Sequence, residues 1–292
     1  MKYSDEFKNK VSDLYKSGLS TQNIADALNV KRSTIDYILK KRGELKNKRN
    51  CQRKYTFDET FFDIIDTEEK AYWLGFLYAD GCIQHKNDSD TYTLDLALSS
   101  HDKNHLEAFK KSLNSTNPIK DYLSSGNMLG YPVSKISIVS KELCLQLIDK
   151  GCTERKSNTL KFPDKSIFSN DDLIRHFIRG YFDGDGSVFI SNEKHWRNGA
   201  ITKVIHYRFV GTKDFLNEIN NQIGLSGNIT HGKNTGKASE LCFKRKKKLI
   251  PFYKYLYENA TIWLSRKREI FENYILEECS ETIINQLNEL KG

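Results

Sequence analysis

The chain has 292 residues and a mass of 33.9 kDa, which is enough for two domains, or for two domains and a small module. Apolar residues make up 38% and charged residues 29%, with only 4 Pro and 17 Gly, which excludes disordered, collagen-like and low-complexity chains. No apolar run approaches the roughly 18 residues of a membrane span, and the N-terminus lacks the apolar segment of a secretory signal. We therefore expect a cytoplasmic protein with no membrane partner.

The net charge of +8 is concentrated at the N-terminus. Residues 1–54 contain 14 basic and 6 acidic side chains, whereas residues 55–292 contain 32 of each. Within that neutral part, residues 244–268 carry nine basic side chains against Glu258 alone. Basic segments attract nucleic acid by displacing condensed counterions, so this distribution favours a nucleic-acid partner. The alternative is a run of lysines that only faces solvent.

Residues 1–45 have the pattern of a helix-turn-helix module. Apolar residues recur at helical spacing in three segments, which are bounded by Gly18, by the corner Asn29-Val30 and by Gly43. The stretch between the two glycines resembles the helix-turn-helix of resolvase-type recombinases and of many bacterial regulators. Its third helix would enter the major groove of DNA with these side chains nearest the bases: Lys31, Arg32, Ser33, Thr34 and Tyr37. A three-helix bundle used for protein contacts is the alternative.

The rest of the chain is internally duplicated. A polar, basic linker is predicted over residues 46–60, followed by one repeat at 61–168 and a second at 169–292, which ends in an acidic helix. WLGFLYADG at 73–81 aligns with IRGYFDGDG at 178–186, and each motif runs from a helical pattern through Asp-Gly into strand-like sequence. From each motif onward, the periodicity predicts helix, two strands, helix, two strands, helix.

The two motifs resemble the LAGLIDADG signature, and over about residues 57–275 the chain resembles single-chain LAGLIDADG homing endonucleases. The resemblance implies an α+β fold of two pseudo-symmetric αββαββα repeats, in which the strands form saddle-shaped antiparallel sheets. The small all-α helix-turn-helix would be an added module. The resemblance also implies a monomer with pseudo-twofold symmetry that binds double-stranded DNA. Genes of this family lie in introns, in inteins or free-standing in bacterial and phage genomes. When bound to such DNA, the protein would be associated with the nucleoid.

Each motif places a second small residue four positions after its glycine. Gly75 is followed by Ala79, and Gly180 by Gly184. On a helix each pair forms a smooth stripe, so two such helices can pack with their backbones almost touching. Two ordinary buried helices with small contact residues are the alternative, which does not explain why both motifs end in Asp-Gly.

Asp80 and Asp185 would lie side by side at the C-terminal ends of the paired helices. There each carboxylate faces the negative end of a helix dipole and the charge of the other, a conflict that a divalent cation removes. Mg²⁺, for which Mn²⁺ would substitute, prefers carboxylates, waters and phosphate oxygens, so we predict a metal-dependent phosphodiesterase site. In the family, the last Asp of each motif binds the metal, which transfers to Asp80 and Asp185, and the preceding carbonyls of Ala79 and Gly184 assist. Asp183 falls outside that set and is treated as structural.

Lys156 and Lys267 occupy equivalent places late in the two repeats. The resemblance implies a basic residue that flanks the active site at this place. We predict a catalytic role for both, because a cation there stabilises the charge that develops on the phosphate. The alternative is a solvated turn that contacts phosphate only.

The strands would read DNA, because a two-stranded ribbon fits the major groove. Alternation along the strands places Leu94, Leu96, Tyr207 and Phe209 toward the core. The side chains predicted to face DNA are Gln84, Lys86, Thr91, Thr93, Lys135, His206, Arg208 and Lys244. For His206, a solvated strand position without a DNA contact is the alternative.

The predicted function is a site-specific double-strand DNA endonuclease that hydrolyses one phosphodiester in each strand. A single chain with two unequal halves can read a long, partly asymmetric target, whereas a homodimer reads a palindrome. A catalytically silent transcription regulator on the LAGLIDADG scaffold is one alternative, and it is disfavoured because both Asp80 and Asp185 are present. An intron RNA maturase is the other, and it is disfavoured because a helix-turn-helix favours duplex DNA.

Overall fold

The structure is a computed structural model, and it describes residues 3–44, 54–86, 90–124, 129–153, 159–231, 238–244 and 246–291. The chain divides into two compact units, Met1–Lys54 and Tyr55–Gly292. Most of the predicted linker at 46–60 lies outside the described residues. No helix in the described ranges has the length and apolar character needed to cross a membrane.

The first unit is a three-helix module: α1 (Asp5–Lys16), α2 (Thr21–Ala27) and α3 (Arg32–Lys41). Ser4 and Ser20 cap the first two helices, because each hydroxyl accepts a hydrogen bond from a backbone N–H three residues later. The small core contains Val11, Ile24 and Ile35, all fully buried. One side of α3 is therefore anchored, and its other side faces outward.

The second unit contains two repeats with the same order of elements, which confirms the predicted α+β class. The first repeat comprises α4 (Glu68–Asp80), β1 (Gly81–Lys86), β2 (Thr91–Ser99), α5 (Lys103–Ser112), β3 (Ile119–Leu123), β4 (Pro132–Val139) and α6 (Lys141–Asp149). The second comprises α7 (Asp172–Asp185), β5 (Ser187–Lys194), β6 (Ile201–Gly211), α8 (Lys213–Ile223), β7 (Asn228–His231), β8 (Ser239–Phe243) and α9 (Leu249–Tyr257). Two further helices follow: α10 (Ser265–Glu278) and α11 (Glu281–Lys291).

Each repeat forms a four-stranded antiparallel sheet, with strand order β1-β2-β4-β3 in the first and β5-β6-β8-β7 in the second. One face of each sheet is apolar and packs on the core. Leu94 and Leu96 of β2 and Tyr207 and Phe209 of β6 are buried, as the alternation predicted. The opposite face of each sheet carries the polar side chains.

The central helices α4 and α7 lie at the middle of this core. Residues 71–78 of α4 are all buried, and so are ten residues of α7. Helices that are buried on nearly every side must rest on other protein elements along their whole length. The ends of α4 and α7 are therefore fixed in place, which matters because each helix ends in an aspartate.

Candidate active site and DNA-binding faces

Small residues allow α4 and α7 to pack backbone to backbone. A Cβ added to Gly75 or to Gly180 would lie under 3.0 Å from a backbone carbonyl of the opposite helix. Further along, Gly184 faces Ala79, and a Cβ added to Gly184 would collide with the Ala79 side chain. Because the two helices are in contact near their C-terminal ends, Asp80 and Asp185, the last residues of the two helices, lie close to one another.

Asp80 and Asp185 form the acidic centre of the site. The Asp80 carboxylate reaches across the helix interface, since its Oδ2 lies 3.2 Å from the point where a Cβ of Gly184 would be. Asp80 is half-buried and Asp185 is exposed. Burial and the negative charges of Asp185 and Asp80 together raise the pKa of Tyr181. Both carboxylates are therefore near the same hydroxyl. The two negative charges are thus concentrated at one place.

The donor set fits a hard divalent cation. Within the described ranges, no cluster of three or more His, Cys, Asp or Glu side chains could hold a metal ion. Two carboxylates, with waters and substrate oxygens completing the shell, match the preference of Mg²⁺. The site opens to solvent at Asp185, so such additional ligands have access.

Lys267 lies beside the acidic centre but is buried, unlike the solvated turn that was the alternative to a catalytic role. Its side chain is buried, and its ammonium donates to the carbonyl oxygens of Phe182, Asp183, Gly184 and Gly186, at 2.7, 2.7, 3.0 and 2.5 Å. These oxygens lie at and just beyond the C-terminal end of α7, where carbonyls run out of helical N–H partners, although the Phe182 oxygen also accepts from the Gly186 N–H. In this arrangement the ammonium offsets the negative end of the helix that presents Asp185, which is a positioning role, and the catalytic role of Lys267 stays a prediction.

One of the two carbonyl oxygens predicted to bind the metal, that of Gly184, already accepts a hydrogen bond from the Lys267 ammonium. Burial, only partly offset by the nearby carboxylates of Asp183, Asp80 and Asp185, lowers the pKa of Lys267 to about 8. Its predicted counterpart Lys156 lies outside the described residues.

Asp183 is buried beneath the site, in agreement with its treatment as a structural residue. Its Oδ2 accepts hydrogen bonds from the Tyr72 hydroxyl and from the Leu264 backbone N–H, both at 2.8 Å. Burial raises the pKa of Asp183. The Tyr72 hydroxyl is also 2.9 Å from Nε2 of His105, so α4, α5 and α7 are linked by one polar chain.

A second buried network holds the opposite part of the helix pair. The guanidinium of Arg179, fully buried on α7, donates to Glu68 Oε1 at 2.6 Å and to the carbonyls of Leu256 and Ile262. Glu68 begins α4, so this ion pair fixes one central helix against the other. Sequence reasoning missed this pair, because it joins residues more than a hundred positions apart.

In the first repeat the polar face of the sheet carries a preformed cluster. Lys135 donates to Asp95 Oδ2 at 2.7 Å, and Gln84 donates to the same oxygen at 3.1 Å. Lys120 on β3 lies directly opposite Lys135 on β4. Lys120 was not among the predicted contacts, although alternation along β3 places it on this face. The predicted contacts Lys86, Thr91 and Thr93 lie on the same strands, Lys86 exposed and the two threonines half-buried.

In the second repeat the polar face is held by other pairs. Arg208 donates to Ser187 Oγ at 2.8 Å and to Glu240 Oε2 at 3.0 Å. His206 stacks on Phe189, with 4.9 Å between the ring centroids, and its Nε2 lies 2.8 Å from Ser191 Oγ. Lys244, a further predicted DNA contact, is exposed, and its ammonium lies 3.6 Å from Glu193 Oε1. His206 and Arg208 therefore occupy the predicted face, with their geometry set by protein partners.

In the first unit the predicted contact residues lie on the outer side of α3. Lys31, Arg32 and Ser33 are exposed, and Thr34 is half-buried. Tyr37 is 62% exposed, which is unusual for so large an aromatic side chain, and the Lys41 ammonium lies 5.8 Å from its ring centroid. A cation and an exposed ring together suit contact with DNA.

Comparison with known proteins rests on structure alone. No family model matches the sequence, and no curated protein matches it. The LAGLIDADG meganuclease I-AabMI bound to uncleaved DNA is 11% identical, with 75% of this chain and 96% of that chain covered and a TM-score of 0.50. Meganuclease I-SmaMI bound to uncleaveable DNA with a TTCT central four is 13% identical, with 77% and 97% covered and a TM-score of 0.50. The chain therefore has the fold of a LAGLIDADG meganuclease.

Proposed function

We propose that the protein is a site-specific endonuclease that cuts both strands of duplex DNA with the help of a bound divalent cation, preferably Mg²⁺. The observation that carries the proposal is the placement of Asp80 and Asp185 at adjoining ends of two central helices. Two carboxylates concentrated in an open site are costly in the absence of a cation, which points to function and not to stability.

The charge on the sheet faces supports a polyanionic substrate. Lys120 and Lys135 lie directly opposite one another on neighbouring strands, and Lys135 is already paired with Asp95, so a further anion beside Lys120 would lower the repulsion between the two cations. Arg208 presents a second cation on the equivalent face of the other sheet. A DNA backbone that follows both faces would satisfy these cations, and each sheet would then read one half of the target.

The chemistry follows from what the residues can hold. A divalent cation bound at Asp80 and Asp185 would activate a water and offset the charge on the scissile phosphate. The two carboxylates themselves would repel that phosphate, so they contribute by holding the cation and not by contact with the substrate. Lys267 keeps the end of α7 in place, so that Asp185 remains beside Asp80.

The named proteins of this fold support the same substrate class. I-AabMI and I-SmaMI are meganucleases whose structures contain DNA, either uncleaved or uncleaveable. Each of them matches this chain over nearly its whole length. The helix-turn-helix unit at residues 1–54 adds a second surface suited to DNA, which would lengthen the recognised target.

The deciding experiment incubates the purified full chain with a pool of duplex DNA that contains its own genomic flanks, in Mg²⁺ or in EDTA. The cut ends are then sequenced. We expect Mg²⁺-dependent double-strand breaks at one sequence. Asp80→Asn and Asp185→Asn should each lower cleavage by at least roughly a hundredfold, because each removes one of two charges that hold the cation.

Asp214→Asn is the matched control, since Asp214 is exposed on α8 and belongs to neither network. It should cut like the wild type. Selective binding without any cut by the wild type would overturn the enzymatic proposal and leave a DNA-binding regulator. Preference for a structured intron RNA over duplex DNA would instead indicate a maturase.

A further inference from the structure

The two sheets can be compared position by position, because their strand registers agree. Cys82 and Ser187 are each the second residue after a motif aspartate. Cys82 lies opposite Asp95 on β2, and Ser187 lies opposite Arg208 on β6. Asp95 and Arg208 are therefore equivalent positions of the two repeats. The next strand extends the match in the same register: Ser137 with Cys242, and Lys135 with Glu240.

At these equivalent positions the two repeats carry the same ion pair with its charges exchanged. In the first repeat the acid, Asp95, is on the second strand of the sheet, and the base, Lys135, is on the third, 2.7 Å away. In the second repeat the base, Arg208, is on the second strand, and the acid, Glu240, is on the third, 3.0 Å away. The net charge is equal, but the cation has moved by one strand.

This displacement is large on the scale of DNA. Neighbouring strands are about 4.8 Å apart, whereas successive base pairs are separated by about 3.4 Å. In a bound target the cation would then meet a different base edge, or a different strand of the duplex, in the two halves. A protein with two identical sheets would present the same donor at the same place in both halves.

Both cations are fixed by protein partners and remain partly exposed to solvent. The Lys135 side chain is 32% exposed while that of its partner Asp95 is 10% exposed, and the Arg208 side chain is 36% exposed. Gln84 also binds Asp95, and Ser187 also binds Arg208, so each pair has a third member on the first strand of its sheet. A donor fixed in this way loses little conformational entropy when it contacts a base.

We propose that these two charge-exchanged pairs determine the base preference at equivalent positions on either side of the cleavage site, and that they make the target asymmetric there. The inference rests on the proposed function. Arg208 would donate to O6 and N7 of a guanine in one half, and Lys135 would donate to a guanine displaced by about one step in the other. Asp95 and Glu240 would orient the cations and disfavour a shift that brings a phosphate or an acceptor edge against a carboxylate.

The test exchanges the pair in one repeat. The double variant Asp95→Arg/Lys135→Glu gives the first sheet the arrangement of the second. A pool of duplex DNA with a fully randomised central segment is bound by the wild type and by the variant, and the retained sequences are compared. We expect the preferred base pair in the first half to change to the one preferred in the second half, by roughly tenfold or more, so that the consensus becomes more nearly palindromic.

Two further variants keep the test decisive if the exchange disturbs folding. Lys135→Gln and Arg208→Gln remove one cation each, and each should relax the preference in its own half only. The control exchanges an ion pair on the helix-packed side of the first sheet, Lys103→Asp/Asp121→Lys, whose partners are 2.6 Å apart and exposed. It should retain the wild-type consensus.

The inference is overturned if the exchanged variant folds and selects the wild-type consensus, or if either glutamine variant relaxes both halves equally. A wild type that enriches no sequence at all would overturn the proposed function, and this inference with it. That result is distinct from a selective wild type whose preference does not depend on the two pairs.

Discussion

Gly75 and Gly180 are equivalent residues of the two central helices, and each lies against the carbonyl of the residue three before the other. Gly75 faces the Phe177 oxygen, and Gly180 faces the Tyr72 oxygen. The contact thus obeys the same twofold relationship as the repeats. Because the contact is between two backbones, a change of side-chain rotamer cannot make room for a larger residue at either glycine.

We predict that Gly75→Ala and Gly180→Ala each destabilise the second unit by more than about 3 kcal/mol, because the added methyl would collide with fixed backbone. Gly211→Ala is the matched control. Its Cβ would lie 3.3 Å from side-chain atoms of Phe215 and Tyr181, a tight contact that involves side chains and no backbone atom. Chemical denaturation of the three variants measures the difference. Equal stabilities for Gly75→Ala and Gly211→Ala would contradict the close packing.

Lys267 provides a test of positioning against catalysis. Replacing it by Met leaves carbonyls at the end of α7 without a donor, and should cost about 1–3 kcal/mol of unfolding free energy. Lys247→Met is the control, since Lys247 is exposed. The salt dependence of DNA binding should be unchanged in Lys267→Met, because the ammonium is buried and its donors are taken by protein carbonyls. A reduced salt dependence would instead support the alternative, in which Lys267 contacts phosphate.

The pH dependence of the same residue has a definite sign. Burial lowers the pKa of Lys267 to about 8 in the folded protein, whereas the ordinary value is 10.5. Between these values the unfolded chain binds the proton that the folded chain lacks, so the protein loses stability as pH falls from 10.5 to 8. The stability of the wild type relative to Lys267→Met should rise by about 1 kcal/mol per pH unit between pH 8 and 10.5. A flat difference would exclude the shift.

Much of the fold could be predicted from the sequence because its signals are local. Alternation along β2 and β6 predicted which residues enter the core, and the duplicated motif predicted the paired helices. What could not be predicted depends on contacts between distant segments. Lys267 meets the four carbonyls at the end of α7 only in the folded chain, because they lie more than eighty positions before it, and nothing near Lys267 in the sequence marks them.

The sheet faces show the same division. Alternation placed Lys135 and Arg208 on the polar faces, but whether each had a partner depended on the register between strands. That register decides that Asp95 meets Lys135 and that Glu240 meets Arg208. A shift of one residue would have turned these side chains toward the core. The exchanged charges were therefore visible only in the folded chain.

His105 should make the second unit sensitive to acid. Burial, aided by the positive charges of Arg266 and Lys267, lowers the pKa of His105 to about 4 from an ordinary value of 6.5. As pH falls from 6.5 to 4, the unfolded chain takes up a proton that the folded chain does not, so stability is lost, by up to about 3 kcal/mol. His105→Gln should remove this part of the pH dependence.

The comparison isolates His105 from a second buried histidine with the same behaviour. His176 also has a pKa lowered to about 4, mainly by burial, and it remains in both proteins. The stability difference between wild type and His105→Gln, measured by denaturation at several pH values, should change across the 6.5 to 4 window. His101→Gln, at an exposed position, should show no such change. An identical pH profile for both variants would rule out the contribution of His105.

The helix-turn-helix unit can be tested by separating charge from base contact. Lys31 is exposed at the N-terminus of α3, and Tyr37 is 62% exposed on its outer side. Lys31 was predicted near the bases, but its place at a helix N-terminus suits a phosphate. If it contacts phosphate, Lys31→Ala should weaken DNA binding evenly across sequences and reduce the slope of log affinity against log salt by about 1. Tyr37→Ala should instead change the preferred sequence at one position, at a cost of about 1–3 kcal/mol, because an exposed ring contributes through contact with a base edge or with a thymine methyl group.

Lys10→Ala is the matched control, since Lys10 carries the same charge as Lys31 and is exposed on α1. If Lys10→Ala lowers the salt slope as much as Lys31→Ala does, the DNA-binding side of this unit is not the outer side of α3.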